Sequence, residues 1–221
     1  MSLADRQMMK VRMRVMPIKD NREYRNIPIQ NFEIRKAAEG EEESYKVRGY
    51  ASTFEPYVLF EQDGIQYKEK IDPKAFDECD MSDVIFVRDH NGTVFARTKN
   101  GTLTLTVDEK GLLTETDLSK TSSARAMYEE IQAEMYTQMS FAFTVSDDEY
   151  DQKEHLRTIH RIDKLYDVSA VSFPANPGTD ISVATRSYFD GVIEAERAER
   201  LAKEKALEEA RSKYDSVRKR G

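Results

Sequence analysis

Three short segments of the chain carry the residue types of a serine hydrolase. His90 follows an apolar run, Ser140 stands where a helical pattern gives way to a strand pattern, and Asp167 interrupts a late apolar stretch. A hydroxyl nucleophile, an imidazole base and an orienting carboxylate together make up such a catalytic site. The chain order His, Ser, Asp differs from the three familiar triad orders. The hypothesis therefore depends on the combination and its context.

Each of the three residues also has a simpler interpretation. His90 could be a surface histidine in a turn, and Ser140 could close a helix in a tight connection. A lone carboxylate in an apolar strand requires a partner. That partner is either His90, which would complete a triad, or Arg161 or Lys164 in a structural ion pair.

A metal site is the main chemical competitor, because the chain has three histidines and one cysteine. His155 and His160 are five residues apart, which places them on opposite faces of a strand and nearly on opposite sides of a helix. We therefore expect no metal and no cofactor. The single cysteine, Cys79, excludes an internal disulfide and is consistent with a reducing compartment.

Composition excludes several other classes of protein. The 221 residues are 39% hydrophobic and 34% charged, which allows one domain with a core and additional solvated segments. No apolar run reaches the roughly 20 residues that span a membrane, and residues 1–16 lack the features of a signal peptide. The net charge of −7 argues against a nucleic-acid partner.

Hydrophobic patterns predict the elements that position these residues. Alternation predicts two hairpins, residues 31–35 with 45–51 and residues 102–107 with 112–118, and a buried strand over 84–87 that leads to His90. A helix is expected over 122–139, followed by strands over 141–145, 156–162 and 165–173. The predicted organisation is a flexible arm (1–30), a β-rich domain (31–187) and a charged helical tail (188–221), with the helix itself over 193–217.

About seven strands with one long helix before the Ser140 strand indicate a mainly β, α+β fold. Closing the antiparallel sheet on itself would remove its exposed edges. We therefore expect a closed β-barrel.

Several segments resemble the prohead protease family of tailed bacteriophages, which are capsid-maturation serine peptidases related to the herpesvirus assemblins. In order and spacing, these segments cover roughly residues 32–185. The similar segments are residues 47–54 (VRGYASTF), 69–76 (EKIDPKAF), 89–91 (DHN), 111–113 (GLL), 139–143 (MSFAF) and 167–177 (DVSAVSFPANP).

The resemblance implies a closed barrel and a serine endopeptidase that acts inside the immature capsid in the host cytoplasm. The family histidine maps onto His90 and the family serine onto Ser140. The third member in related viral proteases is a second histidine, whereas this chain offers Asp167, where phage members usually carry Glu or Asp. The implied substrates are the scaffolding segment of the major capsid protein and the enzyme's own termini.

Two other functions remain open from the sequence. One is a non-catalytic, protease-like scaffold protein that uses the charged tail for assembly or self-association. The other is a small-molecule esterase with the same triad. An oxyanion hole would be required for either hydrolase, and the loop over residues 175–179 is one candidate for it.

Overall fold

Strand pairing organises the chain into two sheets. The computed structural model describes residues 21–27, 32–34, 44–172 and 182–218. The strands in these ranges are β1 (Glu23–Ile27), β2 (Glu33–Ile34), β3 (Lys46–Thr53), β4 (Tyr57–Gln62), β5 (Ile65–Ile71), β6 (Ile85–Arg88), β7 (Asn91–Arg97), β8 (Leu103–Val107), β9 (Gly111–Asp117), β10 (Gln138–Asp151) and β11 (Leu156–Val171). The helices are α1 (Ser122–Gln132) and α2 (Val183–Arg218), with a 3₁₀ turn at Thr98–Asn100.

The larger sheet has the order β1-β10-β11-β5-β4, and β6 pairs with both β11 and β7. The smaller sheet has the order β2-β3-β9-β8. Both hairpins predicted from alternation are confirmed, as β2 with β3 and as β8 with β9. The buried strand predicted before His90 is confirmed as β6.

The predicted closed β-barrel is wrong, because the larger sheet branches. β11 is 16 residues long and pairs in parallel with β5 through Leu156–Ile159, then with β6 through Asp167–Ala170. Among the described strands, no pairing joins the β1 edge to β4 or β7. One long strand thus serves two sets of partners and leaves the sheet open. The fold is mainly β with two helices in the described residues, which agrees with the α+β class.

β10 and β11 are longer than the predicted strands. β10 continues to Asp151, beyond the strand expected over 141–145, and β11 joins the strands expected over 156–162 and 165–173 into one; the two pair antiparallel as far as Asp151 and Leu156. The helix expected over 122–139 ends at Gln132, and Glu134 adopts a positive φ of 58° before β10 begins. A β conformation therefore starts two residues before Ser140.

One hydrophobic core includes side chains of both sheets and of α1. Its members include Phe86 of β6, Leu112 of β9, Met127 of α1 and Phe141 of β10. α1 begins at a cap in which the Thr121 hydroxyl accepts a hydrogen bond from the Ala124 amide at 3.0 Å. The core therefore fixes the strands that carry the candidate residues.

The charged tail forms a unit of its own. The predicted helix over 193–217 is present and begins earlier, so that α2 is 36 residues long. All side chains over residues 197–215 are exposed. Neither helix of the described residues is apolar over a length that would cross a bilayer.

β1 lies within residues 1–30, where the sequence shows no sustained period. Its inward-facing side chains are charged: Glu23 and Arg25 are both buried. Arg25 donates from Nε to Glu69 Oε1 at 2.5 Å and from a terminal nitrogen to Glu69 Oε2 at 2.7 Å, and it also pairs with Glu23. Charged side chains therefore fasten this edge strand to β5, and no hydrophobic pattern reveals it.

Arg157 of β11 completes this buried charge cluster. Its guanidinium contacts Glu23 at 2.7 and 3.0 Å and Glu69 at 3.1 Å, and its Nε donates to Asp148 at 2.5 Å. Burial alone would raise the pKa of Glu23, but the charges of Arg157 and Arg25 outweigh it and lower that pKa. Burial and the Glu69 carboxylate raise the pKa of Tyr57, whose hydroxyl donates to Glu69 at 2.5 Å.

Replacing Arg157 with methionine should destabilise the fold, because buried carboxylates would lose their cation. Breaking a buried ion pair from one side costs about 3–5 kcal/mol. Arg161→Met is the matched control on the same strand, since Arg161 pairs with Glu78 at an exposed site and should contribute less than about 1 kcal/mol. Urea denaturation of both variants measures the difference. Equal urea midpoints for the two variants would show that the buried charge cluster does not stabilise the fold.

The free energy of unfolding should fall as pH drops below about 4.5, the ordinary pKa of Glu23. The pKa of this carboxyl is lowered in the folded chain, so the unfolded chain binds the proton first and stability is lost on acidification. Glu23→Gln should flatten the pH dependence between about pH 5 and 3. Glu78→Gln, at an exposed position, should leave it unchanged. Thermal unfolding across this pH range is the measurement.

Candidate active site

The turn between β6 and β7 presents His90. β6 ends at Arg88 and β7 begins at Asn91, so the connection consists of Asp89 and His90 alone. Both have positive φ, 46° and 56°, as a two-residue hairpin turn requires. This conformation is uncommon for residues other than glycine and is found at functional sites.

Ser140 lies in the third position of β10 and is fully buried. Its neighbour Met139 is fixed on the opposite face by packing against Gly49 of β3. A Cβ atom at Gly49 would come within 2.8 Å of the Met139 sulfur, so a larger residue there would displace the methionine side chain. Thr114 also contacts that sulfur at 3.4 Å. Packing of Met139 against β3 and Thr114 therefore helps to fix the strand that carries Ser140.

β11 brings the other two groups to Ser140. In its antiparallel pairing with β10, Ser169 lies opposite Ser140 and Asp167 lies opposite Ala142. In its parallel pairing with β6, Ser169 lies opposite Val87, three residues before His90. Asp167 and Ser169 are two residues apart and therefore share one face. The register of a single strand places all the polar groups together.

The three candidate residues form a continuous hydrogen-bonded chain. His90 Nδ1 lies 2.6 Å from Asp167 Oδ1, and His90 Nε2 lies 2.5 Å from Ser140 Oγ. An ionised carboxylate can only accept, which assigns the ring proton to Nδ1. Nε2 is then free to accept the serine proton. The imidazole side chain is 16% exposed, so the hydrogen bonds between these three residues are largely shielded from water.

Ser169 is a fourth polar group in the site, and sequence reasoning missed it. Its buried hydroxyl donates to Asp167 Oδ1 at 2.9 Å and accepts the His90 amide at 3.1 Å. These bonds hold both the carboxylate and the turn that carries the histidine. The sequence signal that could have identified it is its position two residues after Asp167 in a predicted strand, which places both side chains on the same face.

The structure brings all three predicted site residues together, and the carboxylate of Asp167 faces His90. Lys164, one of the alternative partners, pairs with Asp80 at 2.7 Å instead. The other histidines lie elsewhere: His155 contacts the Tyr150 hydroxyl at 3.1 Å, and His160 lies between two carboxylates. The oxyanion-hole candidate over residues 175–179 lies outside the described residues.

Cys79 does not offer a competing nucleophile. Burial raises the pKa of its thiol to about 12. The reactive form of cysteine is the thiolate, which is therefore scarce at neutral pH. In the part of the chain that the structure describes, no three His, Cys, Asp or Glu residues form a group that could hold a metal ion. The arrangement around Ser140 is suited to activation of a hydroxyl by a general base.

Comparison with known proteins gave one match. The family described as caudovirus prohead serine protease matches residues 30–191, which is most of the chain. Searches of curated proteins and of solved structures found no match. The matched residues include His90, Ser140 and Asp167.

Asp167→Asn should slow the reaction of Ser140 with a fluorophosphonate by about 10⁴-fold, because an amide no longer fixes the proton on Nδ1. Asp163→Asn is the matched control, since that carboxylate is exposed four residues earlier on β11. The labelling rate, followed by intact mass, is the measurement. Equal rates in the two variants would show that Asp167 does not orient the histidine.

Proposed function

The chain belongs to the caudovirus prohead serine protease family, and we propose that it is the endopeptidase that removes the scaffolding segment of the major capsid protein. Ser140 is the nucleophile, His90 the general base and Asp167 the orienting acid. The observation that carries the proposal is the unbroken hydrogen-bonded chain Asp167–His90–Ser140, with separations of 2.6 and 2.5 Å. Both distances are short enough for proton transfer.

The reaction follows from this geometry. His90 Nε2 takes the hydroxyl proton as Ser140 Oγ bonds to the carbonyl carbon of the substrate. The tetrahedral intermediate collapses, the peptide C–N bond breaks, and His90 returns the proton to the leaving amine. Water then attacks the acyl-enzyme by the same route in reverse, which regenerates the hydroxyl and releases the new carboxyl terminus.

Asp167 stabilises the imidazolium that forms when His90 takes the proton. Its carboxylate is largely buried, so the attraction is stronger than at a water-exposed site. The Ser169 hydroxyl donates to the same oxygen and keeps it aimed at Nδ1. Ser169 is therefore a positioning residue, whereas Asp167 acts on the charge of the base.

The proposed setting is the interior of the immature capsid in the host cell. Its substrates are capsid protein, with its scaffolding segment, and the termini of the enzyme itself. The long exposed helix α2 is suited to binding the scaffold or to recruiting the enzyme into the capsid, because its outer part offers charged side chains of both signs. This part of the proposal includes removal of the tail by self-cleavage.

Incubation with the cognate capsid protein should yield a shortened product, and Ser140→Ala should reduce the rate by at least about 10⁴-fold. Ser146→Ala is the matched control, because Ser146 is an exposed serine on the same strand. Gel analysis with mass spectrometry of the products is the measurement. Undiminished cleavage by the Ser140 variant would contradict the assignment.

The same experiment separates the proposal from its two rivals. A non-catalytic scaffold protein predicts that Ser140→Ala leaves assembly intact while deletion of residues 190–221 blocks it. A small-molecule esterase predicts that a short activated ester is hydrolysed far faster than any peptide. Capsid protein cleavage that depends on Ser140 excludes both.

A further inference from the structure

Strand β1 lies along the nucleophile strand at the candidate active site. It pairs antiparallel with β10, with Asn26 opposite Ser140 and Arg25 opposite Phe141. Peptides commonly bind by adding a strand to an open sheet edge, and β1 is the last of the described strands on this side of the sheet. It also precedes residue 30, where the family match begins. β1 thus occupies the place that an extended peptide would take.

The main chain of β1 reaches the nucleophile itself. The Arg25 carbonyl oxygen lies 2.9 Å from Ser140 Oγ. Since a C=O bond is about 1.23 Å, the carbonyl carbon lies within about 4.1 Å of Oγ. Attack requires about 3–3.5 Å. The carbonyl of Arg25 is therefore a short displacement away from the position of a scissile carbonyl.

The side chains of β1 make contacts on both faces of the strand. The Tyr24 ring packs edge-on against the His90 ring, with centroids 4.7 Å apart. Glu23 and Arg25, on the other face, enter the buried charge cluster described above. The contacts thus involve the base on one face and a charged pocket on the other.

The pocket matches one kind of peptide. Among the described residues outside β1, the carboxylates of Glu69 and Asp148 both contact Arg157, and the Tyr57 hydroxyl donates to Glu69. Glu69 has no exposed surface and holds the Arg25 guanidinium through two of its nitrogens, a geometry that a planar fork satisfies best. Arg157 holds the carboxylate two residues earlier. A peptide without the arginine would leave the carboxylates of Glu69 and Asp148 to share the charge of Arg157.

We infer that β1 occupies the substrate position, and that the pocket around Glu69 and Arg157 selects peptides with an arginine before the cleaved bond and an acidic residue two positions earlier. This inference rests on the proposed function and names its substrate class. The bond presented to Ser140 in the chain itself is Arg25–Asn26.

Cleavage of that bond follows the general mechanism. Ser140 Oγ bonds to the Arg25 carbonyl carbon, the C–N bond to Asn26 breaks, and His90 passes the serine proton to the new amine. Water then releases the Arg25 carboxylate. Until β1 leaves, it covers Ser140, and this explains why the nucleophile is fully buried.

Cleavage of paired peptides by the full-length protein tests the inference once intact mass shows that its own Arg25–Asn26 bond is cut, so that β1 can leave Ser140. A bond that stays intact in a protein that cleaves capsid protein overturns the inference. The parent peptide has the sequence of residues 21–30, NREYRNIPIQ. We expect cleavage between its Arg and the following Asn. Replacing that Arg with Gln should lower kcat/KM by about 100-fold or more, because the buried Glu69 would lose the guanidinium that contacts both of its oxygens. Replacing it with Lys should cost less, and replacing the Glu with Gln should cost about tenfold.

Fluorophosphonate labelling of Ser140 accompanies each assay, so that two kinds of failure are distinguished. A protein that labels at Ser140 but cleaves the Arg and Gln peptides equally, at another bond, or not at all overturns the inference alone. A protein that neither labels nor cleaves capsid protein overturns the proposed function, and the inference with it.

The Glu69→Gln variant provides a second test of whether the pocket selects arginine. The preference for Arg over Gln in the peptide should fall by at least tenfold, while labelling of Ser140 persists. Glu61→Gln, an exposed position on β4, should keep the preference. If Glu69→Gln does not fold, the paired peptides with the parent protein decide the question by themselves. A folded Glu69 variant with full preference for Arg would contradict the pocket assignment.

Discussion

The pairing of β11 with two strands at once is the constraint on which the site depends. One side of β11 sets Ser169 opposite Ser140, and the other side sets the same residue beside the end of β6, where the turn carries His90. At Ser169, β11 therefore pairs with its antiparallel partner β10 and its parallel partner β6 at the same time. A shift of one residue would turn Asp167 to the opposite face and separate the carboxylate from the imidazole.

This constraint also explains why the sheet is open. β11 pairs with β10 on one side and with β5 and then β6 on the other side. Because the sheet divides at this point, its strands do not form the closed ring of a barrel. The same branching places the short turn of Asp89 and His90 beside the strand ends. The positive φ values at both residues are disfavoured for residues with a Cβ atom. Hydrogen bonds that His90 donates to the Ser169 hydroxyl and the Asp167 carboxylate hold that turn in place.

Hydrophobic patterns in the sequence predicted those elements whose conformation is set by residues close together in the chain. The hairpin β8–β9 and the strand β6 have alternating or apolar runs bounded by turn residues, and both were found. The barrel was wrong because the partners of a long strand are set by distant residues, which alternation does not report. The three candidate residues were predicted because motif spacing marks them, whereas Ser169 was missed because a serine in an apolar strand has many roles.

β1 was missed for a physical reason that bears on its role. Its inward side chains are Glu23 and Arg25, and replacing a buried ion pair with apolar residues is often neutral or stabilising. Stability alone therefore does not account for charges at this position. What the charges do enforce is register, because only one alignment pairs Arg25 with Glu69 and Glu23 with Arg157. That alignment is also the one that holds the Arg25 carbonyl at the Ser140 hydroxyl.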